Sequence, residues 1–78
     1  MKKLQFPLKD SDIDTRGKRR RVCSLISDEL WRIHEAEEAY ISRMPENIAA
    51  GRRYLYARRA TDDLLDAMIA LAEAYEPF

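Results

Sequence analysis

The chain has one cysteine, two glycines, three prolines and no apolar run approaching the roughly 20 residues that a membrane span needs. The lone thiol of Cys23 cannot close an intrachain disulfide, so stability has to come from packing, and a reducing compartment is the expected setting. Gly17 and Gly51 are too few and too far apart to build a loop that cradles phosphate. The stretch from Met1 to Pro7 lacks the apolar core of a secretory signal. No sign of charge dominates either: 14 lysines and arginines stand against 14 aspartates and glutamates. Whole-molecule attraction to nucleic acid or lipid is thereby excluded, though local patches are not. A soluble, cytoplasmic protein without membrane contact is the expectation.

What is present argues for helices. A length of 78 residues allows one domain with a small core, for which self-association is the expected remedy. With 36% of residues charged and few helix breakers, long solvent-washed helices are favoured. Residues 1–17 contain Pro7, alternating charges and Gly17 without a helical period, and read as an arm whose Phe6, Leu8 and Ile13 are available for packing. Ser11 and Asp14 have capping-box spacing, which predicts one short turn, and Gly17 follows too soon for a longer helix.

From about Lys18 to Arg43, apolar residues recur at intervals of three and four: Cys23, Ile26, Leu30, Ile33, Tyr40 and Met44, with Glu37 the one polar member. Pro45 disfavours helical geometry at Met44 and ends the run. After the connection Pro45 to Ala50, Gly51 serves as N-cap of a second helix reaching about Tyr75, with Pro77 as its stop. Tyr54, Ala57, Thr61, Leu64, Met68, Leu71 and Tyr75 keep the alternating spacing of two helices packed at a shallow angle. Leu55, Leu65, Ile69 and Ala72 widen the apolar face on one side, and Ala60, Ala67 and Ala74 on the other allow close approach. The predicted fold is all-α: an N-terminal arm over 1–17 and an antiparallel two-helix hairpin over 18–76, turning near 44–51 and paired into a four-helix bundle.

Charge is distributed as basic then acidic before Pro45, and again after it. Folding back predicts that Arg16 and Lys18 to Arg21 lie beside Asp62, Asp63, Asp66, Glu73 and Glu76, and that Glu35, Glu37 and Glu38 lie near Arg52, Arg53, Arg58 and Arg59. Such pairs set register more than stability, because an exposed pair contributes only about 0–1 kcal/mol. Glu37 inside an apolar seam asks for a partner, and Arg58 or Arg53 across the hairpin is expected to supply it, with Arg58 taken as the register-setting partner.

Catalytic patterns fail on spacing. His34 shares a helix face with Glu37 and Glu38, but di-metal bundles place a glutamate three residues before the histidine, where this chain has Trp31. Cys23 and His34 are about 16 Å apart along one helix, too far to share a metal or form a nucleophile–base pair. Ser24, Ser27 and Ser42 have no glycine-rich elbow. No cofactor, metal or catalytic residue is expected, and His34 reads as solvated.

The run Glu37-Glu38-Ala39-Tyr40-Ile41-Ser42-Arg43-Met44-Pro45-Glu46-Asn47-Ile48, then Arg53-Tyr54 and the closing Ala67-Met68-Ile69-Ala70-Leu71-Ala72-Glu73-Ala74, resembles small helical-hairpin proteins of unassigned function. These are carried by bacteriophages and mobile elements, mainly of Gram-positive bacteria. The resemblance covers roughly residues 18–76, and its distinctive part is the Met-Pro-Glu-Asn turn. Gly51 stands where that pattern has a capping serine, and the second helix is richer in arginine near its start. The resemblance implies an origin and an accessory role at larger phage or host complexes, and it carries over no site residue.

The functional expectation is a non-enzymatic interaction protein that forms a homodimer through Trp31, Leu55, Leu65 and Ile69 and meets a protein partner through Arg52, Tyr56 and Arg59. The alternative is a small nucleic-acid-binding factor using Arg19, Arg20, Arg21, Arg52 and Arg59, where arginines flanking an aromatic suit a phosphate backbone and a stacked base.

Overall fold

The computed structural model describes residues 4–49 and 51–76. Two long helices run antiparallel: α1 over Arg16–Ser42 and, after the short α2 at Glu46–Ala49, α3 over Arg52–Ala74. No strand occurs among the described residues. The fold is the all-α hairpin expected from the periodicity, measuring 50 × 26 × 18 Å. Its radius of gyration of 16.0 Å exceeds the about 11.5 Å of a compact domain of this length.

Pro45 acts as expected. The last amides of α1 close onto carbonyls behind them, Arg43 N donating to Ala39 O at 3.2 Å and Met44 N to Ile41 O at 3.1 Å, and the chain leaves the helix before the proline ring. Gly51 caps α3 in extended conformation. Ala50 and Pro77, assigned above to the connection and to the helix stop, lie outside the described residues.

The N-terminal boundary differs from the sequence expectation. Helix α1 begins at Arg16 and includes Gly17, because Thr15 is its N-cap: the Thr15 hydroxyl accepts the Lys18 amide at 3.2 Å. The short turn of the arm is a 3-10 helix over Asp10–Asp12, in which the Lys9 amide donates to the Asp12 carboxylate at 3.0 Å, rather than a turn opened by Ser11. The arm packs on α1 at Val22 and Leu25, between its outer face and the flank that carries Ile26 and Ile33. Leu4, Leu8, Val22 and Leu25 line a groove of about 540 Å³ between them, with Lys9, Lys18 and Arg21 at its edge.

All seven seam positions expected on α3 are buried or half-buried, and the two fully buried residues are the small ones, Ala57 at 4% and Thr61 at 2% exposure. Small side chains mark where two helices come closest. The Thr61 hydroxyl donates to the Arg58 carbonyl at 2.7 Å, so its burial leaves no unmet donor.

The seam of α1 is shifted. Cys23, Leu30, Glu37 and Met44 face inward as expected, as does Ile26 in part, but Ile33 and Tyr40 are 52% and 42% exposed. Their places are taken by His34 and Ile41, with Ser27 two turns before His34. Residues 23, 30, 37 and 44 lie between two rows, Ile26–Ile33–Tyr40 and Ser27–His34–Ile41, and the partner helix covers the second. Gly17 lies in the first turn of α1 at negative φ, and a methyl group built there meets no atom within 4 Å. Gly17→Ala is expected to stabilise the protein by about 0.5–1 kcal/mol, read as a raised midpoint in urea unfolding.

Candidate interaction surfaces

With about 100° between successive residues, each long helix presents its seam inward and a flank to either side of the hairpin plane. On the first side stand Trp31 and Glu38 of α1 and Arg58, Leu65 and Ala72 of α3, with Ile69 just beyond. On the second side stand Ile26, Ile33 and Tyr40 of α1 and Ala60, Ala67 and Ala74 of α3.

The first side is held by a chain of ring and charge contacts across the hairpin. Trp31 stacks on His34 with ring centroids 5.3 Å apart and planes 11° off parallel. The His34 Nε2 lies 3.8 Å from Glu38, whose same oxygen lies 3.7 Å from Arg58 Nη1. Both distances are too long for hydrogen bonds, and that between Arg58 and Glu38 is an ion-pair separation. Arg58 therefore reaches across to Glu38, one residue on from the Glu37 expected, because Glu37 lies on the opposite edge of the seam.

His34 was missed by sequence reasoning. Its side chain is only 14% exposed, and its Nδ1 is buried with no hydrogen-bond partner among the described residues. It is a seam residue, and the signal that could have found it is the seven-residue spacing that joins His34 to Ser27 and Ile41.

Of the residues expected to mediate self-association, Trp31 (48% exposed), Leu65 (43%) and Ile69 (49%) fall on the first side together. Leu55, the most exposed of the four, points away from them on the back of α3. Arg52, Tyr56 and Arg59 form the outward stripe expected, with every member exposed. The basic run of α1 lies at the other end of the hairpin, about 30 Å along its axis from Tyr56, so the two arginine clusters make no continuous patch.

Of that basic run, expected beside the acidic residues of α3, Arg20 borders a groove with Glu76 at the base of the hairpin, whereas Lys18 and Arg19 turn toward the arm. Lys18 Nζ meets Asp14 at 2.9 Å and donates to the Ser11 carbonyl at 2.9 Å, while Arg19 donates to the Ile13 carbonyl at 3.0 Å. The Arg16 guanidinium covers the Tyr75 ring at 4.9 Å and closes the base of the hairpin. Asp62, Asp63 and Asp66 stand nearer the turn than this run, because a hairpin pairs residues equally distant from its bend. Arg20 and Cys23 border a second groove of about 330 Å³, together with Ser24, Asp28, Leu71 and Tyr75.

No three metal-ligating side chains cluster among the described residues, and no described helix is long and apolar enough to cross a membrane. No family model, curated protein or solved structure matches this chain.

Glu37 and His34 are half-buried in the seam with no hydrogen bond among the described residues to offset the loss of water. Glu37→Leu is expected to keep the helical content and to hold or raise the melting temperature, and His34→Leu to stabilise by about 1 kcal/mol by removing the unmet Nδ1. Thermal melts followed by circular dichroism check both, and loss of folding in either variant would show that the polar group has a necessary partner.

Proposed function

We propose that this chain is a non-enzymatic protein–protein interaction module: a helical hairpin that forms a homodimer, as a four-helix bundle, and offers its remaining helix faces to a larger protein complex. The observation that carries this reading is surface area. The chain exposes 6513 Å², against the about 4,900 Å² of a compact monomer of this mass. The excess of about 1,600 Å² is twice what one partner contributes to a standard interface. Large apolar side chains stand exposed in rows on this surface, including Trp31, Ile33, Leu65 and Ile69, and contiguous apolar patches of that kind mark interaction sites.

The resemblance of the Met44-Pro45-Glu46-Asn47 turn to phage and mobile-element proteins supports an accessory role in the cytoplasm, exerted by occupying a surface of such a complex. The exposed stripe Arg52, Tyr56 and Arg59 favours a second reading, contact with nucleic acid, in which the arginines hold phosphate and the ring stacks on a base. The separation of this stripe from Arg19, Arg20 and Arg21 weighs against it, since a tracking groove needs continuous positive charge.

Light scattering is expected to give a mass near twice 9.2 kDa at micromolar concentration. A monomer at high micromolar concentration would overturn the self-association reading. Retention on mixed single- and double-stranded DNA is expected to be absent even at low salt, and strong, salt-sensitive retention would favour the second reading instead.

A further inference from the structure

The phase shift of α1 leaves the two sides of the hairpin unlike each other. The first side mixes apolar residues with Glu38 and Arg58, which face each other across the hairpin at 3.7 Å, and its Trp31 is already stacked on His34. On the second side, the flank of α1 reads Ile26, Ile33 and Tyr40 at strict seven-residue spacing. The matching flank of α3 reads Ala60, Ala67 and Ala74 at the same spacing, with Arg53 as the next member toward the turn. One edge of this side is a ridge of large residues, and the other is a trough of small ones.

The register makes ridge and trough complementary. With Arg58 reaching Glu38 across the hairpin, Ile33 lies alongside the Ala60–Ala67 stretch of α3 and Ile26 alongside the Ala67–Ala74 stretch. Within one hairpin the ridge and the trough lie side by side and cannot fill each other. A second copy related by a two-fold axis parallel to the helices keeps every level unchanged and exchanges left for right. Each ridge then enters the other copy's trough, the self-complementary condition of an isologous interface. A two-fold axis across the helices would instead set ridge on ridge and trough on trough.

We propose that a second copy of this chain occupies the Ile33–Ala67 side, with both turns at the same end and Ile26 and Ile33 of each copy seated between alanines of the other. This rests on the self-association reading above and names its face and its geometry. Three features support it. The exposed area in excess of a compact monomer is ample for the contact. Ile33, though 52% exposed, belongs to an uncharged row. Four helices with apolar seam and inner-flank positions are the pattern of a bundle core. The Trp31, Leu65 and Ile69 side is thereby left for the heterologous partner.

Two substitutions and one distance test this on the full chain. Ile33→Asp sets a carboxylate in the notch and is expected to weaken the dimer by about a hundredfold or more. Leu65→Asp, on the other side, is expected to leave the dissociation constant within about threefold, since a site outside the interface adds little. Sedimentation velocity over a concentration series reads both, with circular dichroism as the check on folding. Spin labels at Asn47→Cys in a Cys23→Ala background are expected to lie far closer together than the 50 Å length of the hairpin, because both turns are at one end. This reading holds for the folded dimer even if Ile33→Asp fails to fold. A dimer that survives Ile33→Asp and dissolves with Leu65→Asp overturns the face but leaves self-association standing. A label separation near the full hairpin length overturns the geometry, and a monomeric parent chain overturns the underlying reading together with this one.

Discussion

The close approach of α1 and α3 at Ala57 and Thr61, the two fully buried residues, governs the rest of this structure. Side chains this small let α1 pack closely over α3, and the two helices touch along their length. Such a contact covers one narrow stripe of each helix. A third or fourth helix would be needed to cover the flanks, and among the described residues the arm, seated at Val22 and Leu25, and the short α2 cover little of them. Exposed apolar rows are therefore a consequence of the architecture. They explain together the elongated shape, the excess surface and the reading of this protein as a part that is completed by association.

Charge has a narrower role than its abundance suggests. The Arg58–Glu38 pair and the Arg16–Tyr75 contact cross between the helices, near the turn and at the base respectively. Both involve exposed or half-exposed groups, so each adds little to stability. Their effect is on register, and register decides which large residue stands level with which small one. The basic run at the start of α1 works locally, with Lys18 and Arg19 drawing the arm onto the helix. This also accounts for cations at a helix N-terminus, where the dipole alone disfavours them.

The helices, the break at Pro45, the Gly51 cap and the whole seam of α3 were legible in the residues, because period and punctuation are local properties. The face of α1 was legible only in half. Cys23, Leu30, Glu37 and Met44 belong to either of two phases, and ranking by hydrophobicity chose Ile33 and Tyr40 over His34 and Ile41. Hydrophobicity could not arbitrate, since in a helix with apolar residues on two flanks the strongest of them can belong to a surface between molecules. The arm-directed contacts of Lys18 and Arg19 were hidden for a related reason: opposite charges in sequence do not say which of several partners lies within reach.

The sequence by itself determined that this chain makes two long helices joined by a tight bend, with too little apolar content between them to enclose a core. Only the tertiary structure decided which side of α1 turns inward, and so which rows remain outside. Periodicity measures the angle between residues along one helix, whereas the choice of facing side depends on the fit against the other helix. That fit is set where Ala57 and Thr61 allow contact and where Arg58 meets Glu38.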